Sequence, residues 1–369
     1  MYKTIEELVT RVDERNNGGI VSELIGVSID KCFIKSVANT NGTDLSKYKI
    51  IRKNDFAVSL MQVSRDGKIP VARLEEYEEA IMSPAYPIFR VKDKNVILPE
   101  YLEMWFKRPE FDREAAFIAV GGVRGSMPWE EFAKMKLPVP TIEKQRKIVN
   151  AYKIVTDRIA LKQKINDNLL ATTQAIYKSW FVDFEPFDNV CPSDWGNGCV
   201  DDIAEFYDSM RKPLSSLERA DMERIYPYYG AVSIVDYVDD FIFDGEYLLL
   251  SEDGIYVVDE NGHPLLQHIT GKFWANNHAH ILKGKSGFNE DSLYLFLANT
   301  NMAPIVTGAA QPKINQTNLK SFSITIPTSE VIENFNALIQ PFFDQRLSNE
   351  AEVKKLESLK DLLLSRLVN

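Results

Sequence analysis

Two stretches of the chain repeat apolar side chains every seven residues for longer than a globular domain needs. In Glu143–Phe181 one row holds Ile148, Val155, Lys162, Leu169 and Ile176, and the next holds Tyr152, Ile159, Asn166, Thr173 and Trp180. In Ser329–Val368 the rows are Phe335, Phe342, Asn349, Leu356 and Leu363 beside Ile339, Arg346, Val353, Lys360 and Leu367. Paired heptad rows predict two long helices, each with one apolar seam. A helix of about 38 residues is near 57 Å long at 1.5 Å per residue. Seams of that length usually need another helix, so the two are expected to bury theirs against each other, antiparallel. Lys162, Asn166 and Asn349 interrupt the seams with polar groups that would fix register. The plainer alternative packs each helix on its own domain. Pro341 lacks a backbone donor and is expected to kink the second helix.

Elsewhere the pattern is of short alternating runs and turns, and it occurs twice. Sliding the chain on itself by about 187 positions lays Gly121 on Gly308, Arg124 on Gln311, Met127 on Ile314 and Pro140-Thr141 on Pro327-Thr328. The same shift lays "SRDG" (Ser64–Gly67) on "SEDG" (Ser251–Gly254), each read as a strand entering an Asp-Gly turn. Each copy then offers a β-type run, "YPIFRVK" or "HAHILKG", and an amphipathic helical segment, "LPEYLEMWFKRPEFDREAAFIAV" or "NEDSLYLFLANTNMAPIV". A Gly-led loop and a last short strand, "KLPVP" or "SITIP", complete it. The expectation is an α+β fold with two similar domains, residues 1–140 and 182–328, and a pair of long antiparallel coiled-coil helices, residues 141–181 and 329–369.

Composition narrows the class. A chain of 369 residues exceeds one hydrophobic core. No apolar run approaches the roughly 20 residues of a membrane span, and the N-terminus is charged where a signal peptide would be apolar, so the cytoplasm is the expected location. Cys32, Cys191 and Cys199 form no ligand pairs and are read as buried bystanders. The net charge of −10 is uneven: residues 1–140 are neutral, 141–181 carry +5, 182–328 carry −13 and 329–369 carry −2.

Catalytic motifs are missing. Gly284-Lys285-Ser286 has Ala279 where a phosphate loop needs glycine, and no Gly-rich turn opens a helix for a nucleotide cofactor. Among His263, His268, His278 and His280, the last two would share a strand face, but no nearby Cys or acidic pair completes a metal set, so no metal is expected.

The doubled domains, the Pro-Thr junctions and the pieces "GAAQPKINQTNLKSFSITIPT", "IYPYYGA" and "SEDG", with the helix beginning "EKQRKIVNAYKIV", resemble the specificity subunit of type I restriction-modification systems over essentially the whole chain. That resemblance implies a non-catalytic subunit. Each globular unit would be a target recognition domain reading half of a split double-stranded DNA site, and the long helices would set the gap between the halves. Two methyltransferase subunits would dock along the helices at Ile148, Val155, Leu169, Ile176, Phe335, Phe342, Leu356 and Leu363, and restriction/translocase subunits would join them. No cofactor is expected in this chain; S-adenosylmethionine, ATP and Mg belong to the partners.

Base reading needs donors and acceptors at base edges, and Lys or Arg supply phosphate contacts. Arg124 and Gln311 occupy equivalent places in the paired loops and suit guanine and adenine respectively. Ser126, Lys313 and Asn315 follow them, Arg65 and Lys68 flank the first Asp-Gly turn, and Tyr228, Tyr229, Asn277 and His278 are the polar-aromatic candidates of the second copy. Tyr228 and Tyr229 could equally be core residues, Asn277 and His278 turn caps, and Arg65 and Lys68 solvated charges. The acidic second domain fits a phosphate backbone poorly unless Lys212, Arg211 and Lys313 share one face, its partner supplies the contacts, or it no longer binds DNA. The rival class is a protein scaffold, or an inactive specificity subunit of the same architecture.

Overall fold

The computed structural model describes residues 1–36, 43–61, 63–120, 125–308 and 310–368. Contacts divide the chain into unit 1, Met1–Leu161 with Glu352–Asn369, and unit 2, Lys162–Ala351. Each long helix therefore gives one part to each unit.

Unit 1 runs β1 (Tyr2–Thr4), α1 (Ile5–Leu8), β2 (Val9–Val12), β3 (Ile25–Val27), β4 (Phe33–Lys35), β5 (Lys49–Arg52), β6 (Phe56–Val58), α2 (Val63–Asp66), β7 (Val71–Arg73), β8 (Glu79–Met82) and β9 (Ile88–Val91). There follow α3 (Pro99–Phe106), α4 (Pro109–Ile118), α5 (Trp129–Lys134), β10 (Lys136–Pro138) and the first long helix, α6 (Ile142–Phe181). Unit 2 continues with β11 (Gly196–Cys199), α7 (Val200–Ile203), β12 (Ala204–Phe206), α8 (Ser216–Ala220), β13 (Tyr226–Tyr229), β14 (Ile234–Val238), β15 (Phe243–Ser251), β16 (Leu266–Ala275) and β17 (Ala279–Gly284). It ends with α9 (Glu290–Ala298), α10 (Gln316–Lys320), β18 (Ser323–Ile326) and the second long helix, α11 (Ser329–Ser365).

The duplication is written in the strand order. The four-stranded sheet of unit 1 is ordered β2-β9-β6-β7, and the larger sheet of unit 2 contains the matching order β12-β17-β15-β16, extended by β13 and β14. In both units the first strand pairs antiparallel with the last, β1 with β10 and β11 with β18. Tyr2 faces Pro138 and Asn197 faces Thr325, so the copies are offset by 195 positions at the first strand and 187 at the last. Each first strand enters its short helix through a reciprocal cap. Glu7 accepts from Thr4 N at 2.7 Å, and Asp202 accepts from Cys199 N at 2.8 Å. That cap keeps Cys199 half-exposed, and Cys32 and Cys191 are exposed, which corrects the expectation of buried cysteines.

Other local expectations change for identifiable reasons. The segment 98–120 is two helices, because Pro109 restricts Arg108 to extended geometry and opens α4 at its first position. "SRDG" is the short helix α2 with Gly67 left-handed after it, so the β6–β7 hairpin turns through a helical loop. α11 continues without interruption through Pro341, which lies on its exposed side.

Aromatic side chains fill the cores. Phe56, Phe89, Phe106, Phe111 and Phe132 stack and cross edge to face in unit 1, each burial worth about 1.5–3 kcal/mol. Leu364 of α11 and Leu367, in the 3-10 turn that follows it, belong to that same core, and Ile148, Val149 and Tyr152 of α6 pack against it. In unit 2 Phe335, Ile339 and Phe343 of α11 and Tyr177 of α6 join Leu248, Leu282 and Phe296. Phe343 and Leu364 are more buried than their heptad-row neighbours Phe342 and Leu363, because they point at the globular cores.

Within each unit the helix segments run antiparallel. In unit 1 Arg158 pairs with Glu352, and in unit 2 Lys162 pairs with Asn349 and Trp180 with Phe335. The polar interruptions meet one another. Lys162 Nζ donates to Asn349 Oδ1 at 2.8 Å, Asn349 Nδ2 donates to Asn166 Oδ1 at 2.7 Å, and Asn166 Nδ2 donates to the Arg346 carbonyl at 3.3 Å. Asn349 is 1% exposed, so its amide would be left unsatisfied in any other register.

Candidate nucleic-acid interface

In unit 2 three loops converge: the end of β15 with Glu252 and Asp253, the β16–β17 turn with Asn277 and His278, and the Gly308–Asn315 segment. Gly308 opens the last of these with φ +85, where a Cβ would collide with the Gln311 carbonyl. Thr307 and Lys313 then exchange two backbone hydrogen bonds of 2.8 Å, closing the loop and leaving Gln311 exposed at its tip. Ile314, fully buried, ties the loop to β15 by donating to the Glu252 carbonyl at 2.8 Å.

Beneath the loops lies a buried polar network. His280 Nδ1 is 2.6 Å from Asp208 Oδ2, and Nε2 is 2.8 Å from the Ile314 carbonyl, so a ring with a hydrogen on each nitrogen satisfies both. Arg211 reaches Glu252 at 2.5 Å and Asp208 at 3.4 Å, Lys313 reaches Glu252 at 2.9 Å, and Gln316 donates to Asp208 at 2.8 Å. Burial pushes the Asp208 carboxyl up, but the His280 hydrogen bond and the charges of His280 and Arg211 outweigh it and hold the group below its ordinary value. Burial likewise pushes the Glu252 carboxyl up, but the Arg211 and Lys313 hydrogen bonds and the charges of His280 and Arg211 outweigh it and hold the group below its ordinary value. Arg211 and Lys313 thus share one place, as a phosphate-contacting face would need, yet both are neutralised there. Lys212 stacks over Trp274 instead.

The remaining expected residues sort by exposure. Asn277 and His278 are exposed, with His278 Nδ1 2.6 Å from Asp253. Asn315 caps α10 by accepting from Asn318 N at 2.8 Å. Tyr228 is 3% exposed and its hydroxyl accepts from Leu214 N at 2.9 Å, which makes it a core residue and corrects its placement on the reading surface. Tyr229 is half-buried, edge-on to Phe273.

In unit 1 Arg65 and Lys68 are exposed on and after α2, with Arg65 2.9 Å from Asp66. The loop carrying Ser126 lies against them: a Cβ on Gly125 would meet Ser64 Oγ, and Met127 N donates to the Leu60 carbonyl at 2.9 Å. Arg124 lies outside the described residues. The tether at Met127 matches the one at Ile314, so in both units this residue is held by the backbone that follows the corresponding strand, β6 or β15. The helix positions Ile148, Val155, Leu169, Ile176, Phe335, Phe342, Leu356 and Leu363 are all buried or half-buried, whereas Ile154, Leu161, Leu338, Leu359 and Leu362 are large apolar residues of the two helices that are exposed. Sequence reasoning missed Asp208, Glu252 and Gln316, and weighed His280 only as a metal ligand. Glu252 and Gln316 lay inside quoted motifs, but nothing in linear spacing joins Asp208 to His280.

Among the described residues no helix is long and apolar enough to cross a membrane. Residues 192–360 match the family described as Type I restriction modification DNA specificity domain. A putative type I restriction enzyme specificity subunit of Haemophilus influenzae is 35% identical over 143 residues, or 38% of this chain. The type I restriction enzyme MjaIX specificity subunit of Methanocaldococcus jannaschii is 24% identical over 300 residues, or 74% of this chain. The chain spans 36% of the first relative's length and 69% of the second's. The type I restriction-modification system S subunit from M. genitalium shares the fold, with a TM-score of 0.57 at 13% identity over 100% of this chain and 96% of that one.

Proposed function

We propose that the chain is the DNA-recognition subunit of a type I restriction-modification complex, a reading supported by the match of residues 192–360 to the DNA specificity domain family and by the similarity to specificity subunits. It reads a two-part double-stranded target, one half with each globular domain. Methyltransferase subunits dock on the long helices, and restriction/translocase subunits join through them. Methylation and cleavage, with S-adenosylmethionine, ATP and Mg, belong to those partners.

The observation that supports this best is the paired construction of the loops. Two sheets of matching strand order each tether one equivalent residue, Met127 or Ile314, to the backbone that follows the corresponding strand, β6 or β15. A protein that reads two unlike half-sites needs the same frame twice with different residues at the loop tips.

The acidity of residues 182–328 favours a second reading, a scaffold whose second domain meets only protein. Comparing the modified-base map of cells with and without the gene separates the two. Loss of adenine methylation at one two-part motif is the expected result. An unchanged map in cells whose methyltransferase is active elsewhere would favour the scaffold.

A further inference from the structure

Unit 2 assembles two clusters of one histidine and two carboxylates: Asp208 with Glu252 and His280, and Glu246 with His268 and Asp291. In each, the ligand atoms lie within 4.8 Å of one another. The clusters differ in their counter-charge. Arg211 and Lys313 neutralise the first, and Gln316 fills a remaining acceptor. At the second, among the described residues, the ion pairs of Glu246 and Asp291 are both to His268.

The second cluster is short of positive charge in a buried place. Asp291, in the first turn of α9, is 3% exposed, and its Oδ1 has no hydrogen-bond partner. A buried carboxylate oxygen left in that state is costly. Burial, offset only in part by His268 and reinforced by Glu246, Asp344 and Glu290, pushes its carboxyl up to about 7. Asp291 Oδ1 faces His268 Nδ1 at 3.7 Å, too far for a hydrogen bond. Two donors each about 2.0–2.1 Å from zinc stand about 3.4 Å apart at the tetrahedral angle, so the observed gap is within a few tenths of an ångström of a shared ion.

The other side of the ring has the partner a ligating histidine requires. His268 Nε2 is 2.6 Å from Glu246 Oε1, an arrangement that places the hydrogen on Nε2 and leaves the Nδ1 lone pair directed at Asp291. Tyr294 stacks on the ring at 6.1 Å and Phe343 meets it edge-on at 5.9 Å, fixing its plane.

We infer that His268 Nδ1 and Asp291 Oδ1 are the inner protein ligands of a divalent transition-metal site, with Glu246 as the carboxylate that fixes the ring tautomer. Imidazole with carboxylate suits zinc and its neighbours rather than calcium or magnesium. Such an ion would join α9 to the β15–β16 hairpin. The inference is independent of DNA reading.

The test uses the full chain with Cys32, Cys191 and Cys199 replaced by serine, so that no thiolate competes. After chelator treatment it is dialysed against micromolar zinc, and metal content and thermal midpoint are measured. About one zinc per chain and a raised midpoint are expected. Asp291→Asn and His268→Gln should lose both, and Glu246→Gln should weaken binding about 10–100-fold. No retained zinc in the serine-replaced parent, or equal retention in the His268 and Asp291 variants, overturns the site. If those variants fail to fold, unchanged zinc affinity in Glu246→Gln does so instead.

Discussion

Gln311 is exposed at the tip of a loop that Thr307 and Lys313 close and Ile314 anchors. If it reads adenine, Gln311→Ala should relax one position of one half-site by about 1–3 kcal/mol. Competition binding against targets substituted base by base would detect this, and uniform weakening on every sequence would assign Gln311 to the backbone instead. Beneath it, Glu252 and Asp208 are held below their ordinary carboxyl values of 4.5 and 3.8. A depressed acid contributes stability that is present above its ordinary value and lost as pH falls through its folded one. Glu252→Gln should therefore lower the thermal midpoint at pH 7, and the gap to the parent should narrow below about pH 4, as a pH series of melts would record.

At the scale of elements, the helix pair was the most legible part of the chain. Heptad spacing placed the first helix at Glu143 and the structure starts it at Ile142, because a seven-residue period is a property of the chain itself. The seam's polar residues were equally visible, and they prove to be partners. Asn349→Ala should destabilise unit 2 by about 1–3 kcal/mol, and in a double-mutant cycle with Asn166→Ala the two losses should fall short of additivity, measured by denaturant unfolding. Phe343 and Leu364 escaped notice because they leave the heptad rows to face globular cores, which no period announces. The first strands escaped too. β1 and β11 share a pairing rather than residues, at an offset that the 187-residue shift does not contain. The polar clusters were least legible, since Asp208 and His280 stand 72 positions apart and only the β12–β17 sheet edge unites them.

For the molecule as a whole, charge is the harder constraint on DNA binding. Of the cations in residues 182–328, Arg211, Arg219, Arg224, Lys313 and Lys320 are already paired with acids. Few remain for phosphates, and the affinity of the chain alone for duplex should fall only gently with salt, steepening when a methyltransferase is added. A titration of binding against salt, with and without that partner, measures both slopes. The division of the long helices between units bears on how the protein is made. Leu364 and Leu367 sit in the same core as Ile5 and Phe56, so the residues around Ile5 wait until those around Leu364 have been made before their core can close. Removing 352–369 should accordingly leave unit 1 open to protease while unit 2 resists, with Leu364→Ala alone costing about 2–5 kcal/mol. Until translation passes that point, the nascent first domain exposes an incomplete apolar face to chaperones and to neighbouring chains.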